Sequence, residues 1–329
     1  MGPQKNFSWT QFFPPKPKYT QHDVPSDLRG KVYVVTGANS GMGKELARVL
    51  YAKHAKVYVA CRTEEKGAET IDDIKKAVPA SKGELVSLKL NLSDLRDVRE
   101  AASIFLSRES KFHILFNNAG VMVGAGANKT AQGYEEAMGV NCVGTYLFTK
   151  LLTPALIAGA KSEPVGTVRV VWLSSFGLEQ FAPEGGSLDM DAYPPDVPIE
   201  RYGLSKVGAW LLAVEYARRH GSDGVVSVAI NPGNIKTALA RHQGIALKLI
   251  AGAIVYPVTN GVSTQLFAGF SPEVSTKLDW RNEWVIPFGR VGPLRPDLNK
   301  ATMPPEEGGN GGAMEFWEWC DQQVKDYLQ

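Results

Sequence analysis

Between residues 31 and 233 the chain repeats one pattern six times: a short β-branched, apolar run followed by residues with the apolar spacing of a helix. The runs are KVYVVTG, KVYVACR, ELVSLKLNL, FHILFNNAG, VRVVWLSS and VVSVAINPG. Segments such as LSDLRDVREAASIFLSRE and YGLSKVGAWLLAVEYARRH fall between them. Nearly unbroken apolar runs belong to strands covered on both faces, and helices between strands impose right-handed crossovers. The pattern predicts an α/β fold built on a parallel sheet. In such sheets ligands bind beyond the carboxyl ends of the strands. Gly37–Gly43, Arg62, Asn91, Asn117–Gly120, Ser174–Ser175 and Asn231–Gly233 sit at those ends.

TGANSGMGK, residues 36–44, joins the first run to the first helical segment. A strand, a glycine turn and a helix N-terminus make an anion site, because backbone N–H groups point outward and the helix dipole favours negative charge. A nucleoside-triphosphate loop requires G-x-x-x-x-G-K followed by Ser or Thr. Ala38 stands where its first glycine belongs and Glu45 follows Lys44, so the magnesium-ligating hydroxyl is missing. A dinucleotide loop needs a tight turn, a close backbone approach to a pyrophosphate and close helix–strand packing. Gly37, Gly41 and Gly43 supply these, with Ser40 and Met42 between them, in the spacing G-x-x-x-G-x-G rather than G-x-G-x-x-G. An ordinary glycine turn is the alternative.

Composition removes several other functions. The 329 residues are 44% hydrophobic and 21% charged, ordinary for a soluble globular protein. A net charge of +2 gives no sign of nucleic-acid binding, which calls for a clustered basic face. Cys61, Cys142 and Cys320 are odd in number and far apart, and the five histidines form no HxxxH pair. Reduced thiols and no metal site follow. Residues 1 to about 27 are rich in proline and aromatics and read as an arm over a single domain spanning 28–329. No signal-peptide core and no run of about 18 apolar residues is evident, so a cytoplasmic location without a membrane span is expected. Ile245–Val258, with Lys248 its sole charge, suits a substrate lid, a core helix or an interfacial helix.

In RYGLSKVG, Tyr202 and Lys206 are four apart at the start of a helical pattern, which puts them on one face. A free tyrosine titrates near 10, but an ammonium one turn away favours the phenolate. Tyr-x-x-x-Lys alone is common by chance. Here it follows, in order, TGANSGMG, NNAG, an asparagine in GVNCVGTYLF and a strand ending in Ser-Ser, and it precedes NPG. Over roughly residues 28–237 the chain resembles the short-chain dehydrogenase/reductase family. TGANSGMGKELA and VYVACRTEEKG are similar to its retinol-dehydrogenase-like branch.

The resemblance implies a Rossmann-type doubly wound sheet in a single domain, with a C-terminal substrate lid and extension over about 236–329. It also implies roles. Tyr202 is the acid–base; Lys206 holds the ribose and lowers the tyrosine pKa. Ser175 bonds the substrate oxygen, and Asn141 fixes a water in the proton relay. Asn118, Ala119 and Gly120 run beside the adenosine ribose, and Asn91 and Leu92 lie at the adenine. Pro232, Gly233, Ile235 and Thr237 contact the nicotinamide end.

Two features depart from the family. Ser175 and Tyr202 are 27 positions apart, about twice the separation common in the family, so FGLEQFAPEGGSLDMDAYPPDVPIE is expected to loop over the active-site mouth. The third strand ends in NLSD, where an Asp is usual, leaving Asn91 to accept from the adenine amino group without charge. The end of the second strand separates NADP from NAD. An acidic residue there binds both ribose hydroxyls and repels a 2′-phosphate. Arg62 instead offers a planar, permanently charged fork suited to phosphate. Lys44 and Lys66 are the next candidates.

The expected function is an NADP(H)-dependent oxidoreductase that interconverts a carbonyl and an alcohol on a largely apolar small molecule. Hydride passes between nicotinamide and carbonyl carbon while Tyr202 transfers the proton. A non-catalytic NADP-binding sensor, or an isomerase or dehydratase in the same pocket, are the alternatives. A monomer or homodimer suits either. Ala246, Leu247, Leu249, Ile250, Ile254, Val255, Tyr256 and Phe267 are candidates to line the pocket or the core.

Overall fold

The computed structural model describes residues 9–122, 128–236, 255–277 and 279–328. Each of the six apolar runs contains a strand: β1 Val32–Thr36, β2 Lys56–Cys61, β3 Glu84–Lys89, β4 Ile114–Asn117, β5 Arg169–Leu173 and β6 Val226–Ile230. Two strands escaped the sequence reading: β7 Glu283–Ile286 and β8 Arg290–Pro293. All eight form one sheet in the order β3-β2-β1-β4-β5-β6-β7-β8. Pairing is parallel as far as β7, in register Val35↔Val59 and Val35↔Phe116 around β1, and only β8 runs antiparallel to its neighbour. This is the Rossmann-type doubly wound arrangement.

Helices cover both faces: α1 Trp9–Phe12, α2 Gly41–Ala52, α3 Glu64–Ala77, α4 Leu95–Leu106, α5 Glu136–Met138, α6 Thr145–Ala160, α7 Gly177–Phe181, α8 Pro198–His220, α9 Val258–Phe270 and α10 Gly312–Val324. Side chains alternate across a strand. Val34, Tyr58, Leu115 and Trp172 therefore enter one core with α4, α6, α8 and α10. Val35, Val57, Val59 and Phe116 enter the other with α2, α3 and α9. That double covering is why the central runs carry no polar alternation.

One π-type turn, Gly139–Gly144, joins α5 to α6 into a continuous helix from Glu136 to Ala160. Among the described residues it is the one helix long and apolar enough to cross a membrane, by length and composition. Its most apolar stretch is 72% buried inside the fold, as a core helix packed between α4 and β4.

The insertion between Ser175 and Tyr202 begins with α7 and is then held by side-chain hydrogen bonds. After α7 it is tied to the C-terminal segment, where Gly185 N–H donates to Asp297 (3.0 Å) and Ser187 donates to Asn310 (2.8 Å), and to the N-cap of α5, where Tyr193 donates to Glu135. At its start the Gly177 N–H donates to Ser175 Oγ at 3.0 Å. Thr237 and residues 245–254 of the proposed lid lie outside the described residues, as do pocket candidates Ala246, Leu247, Leu249, Ile250 and Ile254. Tyr256 pairs with Ile235 in an isolated bridge, and Phe267 is in the core.

Candidate active site

The loop after β1 has the geometry its glycines demand. Gly37 adopts φ +65° and Gly41 +55°, a region open to glycine at little cost. A Cβ on Gly37 would sit 2.9 Å from Ala119 Cα, and one on Gly43 would sit 2.5 Å from the Gly37 carbonyl oxygen and 2.6 Å from Asn118 Nδ2. Helix α2 thus starts hard against the strand ends. Thr63 and Asp94 cap α3 and α4 with their side chains, whereas Ser40, at the N-cap of α2, makes no such bond. The first-turn N–H groups of α2 therefore keep the polarity that holds a phosphate. Gly37→Ala is expected to lower stability by about 1–3 kcal/mol and to weaken NADPH, read by thermal unfolding and fluorescence titration. An unchanged Tm together with unchanged affinity would remove the strict need for glycine.

A cleft of about 460 Å³ opens over this loop, within the roughly 300–1,000 Å³ usual for ligand pockets. Gly37, Ser40, Gly41, Met42, Gly43, Arg62, Asn91, Leu92, Asn118, Ala119 and Gly120 all line it. Asn39, Ser93, Val121 and Met122 line it too; of these only Asn39 carried a signal, lying inside the glycine motif. Arg62 is exposed at the rim. Lys44, its understudy, is paired with Asp73 at 2.6 Å. Two amides are more occupied than expected. Asn91 Oδ1 accepts from the Ser93 hydroxyl (2.7 Å) and N–H (3.3 Å), while its Nδ2 donates to Asp97. Asn118 Nδ2 donates to the Thr36 carbonyl (2.8 Å), and its Oδ1 accepts from Gln265 (2.7 Å). Both brace the cleft through their side chains.

The proposed reacting residues are not among those that line the cleft but lie against two that do, Leu173 and Gly120. Lys206 is buried and donates to the Leu173 carbonyl at 2.9 Å; Leu173 itself lines the cleft. Its ammonium lies 5.5 Å from the centroid of the Tyr202 ring. A Cβ on Gly120 would lie 3.2 Å from both Lys206 Nζ and Asn141 Oδ1, so these side chains converge on one backbone point. Burial pulls the Lys206 pKa down to about 8. Burial pushes the Tyr202 phenol up, and the Ser175 hydroxyl bonded to it works in the opposite sense. Asn141, in the π-type turn, holds Val121 through both amide atoms, at 2.9 and 3.0 Å, and donates to Ser205 at 2.9 Å. Ser174 anchors α8 by donating to the Lys206 carbonyl at 2.7 Å.

Pro232, Gly233 and Ile235 form the turn after β6. Gly233 has φ +84°, and its N–H donates to Asn231 Oδ1 at 3.0 Å. Asn231 is bonded in turn to Gln11 from the N-terminal arm, and Gln11 to Glu179 of α7. Glu179 is only 8% exposed, and burial pushes its pKa up to about 7, against the Gln11 bond and the Arg295 charge. A carboxyl that holds its proton longer in the folded state than in the unfolded chain loses stability as pH rises from about 4.5 to about 7. The cost is fully present above that window, on the order of 3 kcal/mol. Glu179→Gln keeps an acceptor for Gln11 and removes the charge. Its Tm advantage over wild type is expected to be absent near pH 4 and to level off above pH ~7; an advantage independent of pH would contradict the assignment.

Comparison with known proteins places this arrangement. Residues 31–179 match the family model described as short chain dehydrogenase. A short-chain dehydrogenase/reductase of Neocamarosporium betae is 48% identical over 97% of this chain and 93% of its own length. Among solved structures, an uncharacterized protein from Mycobacterium paratuberculosis superposes with a TM-score of 0.63 at 25% identity, covering 93% of this chain and 97% of that one. The Pseudomonas aeruginosa RhlG complex with NADP superposes with a TM-score of 0.59 at 22% identity, over 77% of this chain and 94% of that one, a likeness of fold.

Proposed function

The chain belongs to the short-chain dehydrogenase/reductase family, and from that premise we propose that it is an NADP(H)-dependent oxidoreductase interconverting a carbonyl and an alcohol on a largely apolar small molecule. One observation carries the reading: Lys206, Tyr202 and Ser175 converge where Leu173 and Gly120 border the glycine-loop cleft. The cleft fits the cofactor, with an uncapped helix end for the pyrophosphate and Arg62 at the rim for the 2′-phosphate.

When bound, the cofactor supplies or accepts the hydride. The chain's own residues manage the oxygen and the proton. In reduction, Ser175 donates a hydrogen bond to the carbonyl oxygen and Tyr202 gives it a proton. Burial keeps the phenol protonated, and therefore loaded, before the reaction. The phenolate left behind is stabilised by the Lys206 ammonium. Asn141 holds the Val121 backbone and Ser205, and so keeps Gly120 and the start of α8 in place. The test is NADPH consumption across a panel of aldehydes and ketones, with the alcohol product identified. Tight NADPH binding without turnover on a broad panel would make the chain a nucleotide sensor instead.

A further inference from the structure

Residues Trp9–Phe12 make only four residues of helix, far too few to hold shape alone. Their order comes from partners around the candidate active site. Gln11 is 3% exposed and uses both ends of its amide: Nε2 donates to Glu179 Oε2 at 3.0 Å, and Oε1 accepts from Asn231 Nδ2 at 2.7 Å. Tyr256 donates to the Phe12 carbonyl at 3.3 Å, and Arg290 to the Thr10 carbonyl at 2.7 Å. The Phe12 ring meets Phe176 edge-to-face, with centroids 4.5 Å apart and planes at 78°. Phe176 directly follows Ser175, and Asn231 opens the Pro232–Gly233 turn. The arm therefore bridges the segment behind Ser175 to the turn after β6.

We propose that the arm is part of the active site: Phe12 and Phe176 form an aromatic wall that selects the apolar portion of a carbonyl substrate, and Gln11 pins that wall in place. The inference rests on the carbonyl–alcohol reading and adds the part of the substrate beyond the reacting carbon. Phe12 and Phe176 are half-buried, and the Gly177 N–H just after Phe176 donates to Ser175 Oγ at 3.0 Å, which fixes this pair at the segment that carries Ser175. An aromatic pair of this geometry offers a flat apolar face or edge to a ring placed beside it. Gln11 is a positioning residue. Removing its amide strands Asn231 Nδ2 and the Glu179 carboxyl, and a buried polar group without a partner is costly enough to release the arm. Arg295 leaves the Glu179 carboxyl to the arm, because its guanidinium donates to the Glu179 backbone carbonyl and to Asp297.

The experiment uses the full-length protein with NADPH and three ketones of increasing size: cyclohexanone, acetophenone and acetylnaphthalene. Wild type, Phe12→Ala, Phe12→Tyr and Gln11→Leu are compared for kcat and KM separately, with NADPH affinity measured by fluorescence. Phe12→Ala is expected to lower the acetylnaphthalene-to-cyclohexanone ratio of kcat/KM by about tenfold or more, chiefly through KM for the larger ketone. Gln11→Leu shifts the ratio the same way, Phe12→Tyr restores it, and NADPH affinity stays level in all. An unchanged ratio in both Phe12→Ala and Gln11→Leu, with wild-type turnover intact, overturns the role of the arm and leaves the carbonyl reading standing. Failure of wild type to reduce any of the three while binding NADPH counts against the carbonyl reading first, and the inference falls with it.

Discussion

Replacing Tyr202 with Phe is expected to lower turnover by at least about 100-fold, the usual contribution of a positioned acid–base group. NADPH affinity should change little. The substitution deletes one oxygen and keeps the ring that lies 5.5 Å from Lys206 Nζ. The lost atom is the one that Ser175 touches and, in the proposed reaction, the one from which the proton leaves. Steady-state kinetics beside a fluorescence titration of NADPH separates the two effects. Retention of more than about a tenth of the wild-type rate would assign the proton to another group. Lys206 is also expected to set an alkaline limit on activity. Its pKa is drawn down to about 8, so raising the pH through that value removes the charge that stabilises the phenolate. Activity is expected to fall there, and the limb should disappear in Lys206→Arg if that variant keeps activity, since a guanidinium does not titrate in this range.

Exchanging Arg62 for Asp should move cofactor preference from NADP(H) toward NAD(H). Arg62 lines the rim of the cleft at the end of β2, where an acidic residue would accept from the ribose hydroxyls. The replacement substitutes a repelling carboxylate for a phosphate partner, so both halves of the change act in one direction. Two charge-assisted hydrogen bonds contribute roughly 1.5–3 kcal/mol each, which puts the expected swing in the kcat/KM ratio at about 100-fold or more. The ratio for the two cofactors, measured in wild type and variant, gives the answer. An unchanged ratio would pass the role to Lys66, because Lys44 is held by Asp73.

The strands that carry the cleft were legible because they are buried on both faces and spell unbroken apolar runs. β7 and β8 were not. Each has four residues, and Pro287, Gly289 and Gly292 break the stretch that holds them. They exist because β6 offers an open edge, a fact of the assembled sheet. The identities of the cleft residues were legible at strand ends, but the roles of their side chains were not. Asn91 turns to Ser93 and Asp97, and Asn118 to Thr36 and Gln265, because the folded chain brings these partners within hydrogen-bond reach. Nothing in the sequence linked Gln11 to Glu179 or Asn231. Single polar residues leave no periodic trace, and these pairs are separated by 168 and 220 positions.

The same separations set an order of assembly. The arm leaves the ribosome before its anchors, which arrive 168, 220, 244 and 280 positions later. At about 5–20 residues per second, the arm waits at least some ten seconds for Arg290 to be made. During that interval β1 through β6 have already been synthesised and can pair, and Phe176, Glu179 and Asn231 precede Tyr256 and Arg290 among the partners that hold the arm. Docking of the arm is therefore a late event in folding, scheduled by the far end of the chain. A chain cut short before Arg290 keeps the glycine loop and the tyrosine helix but lacks the last of these anchors.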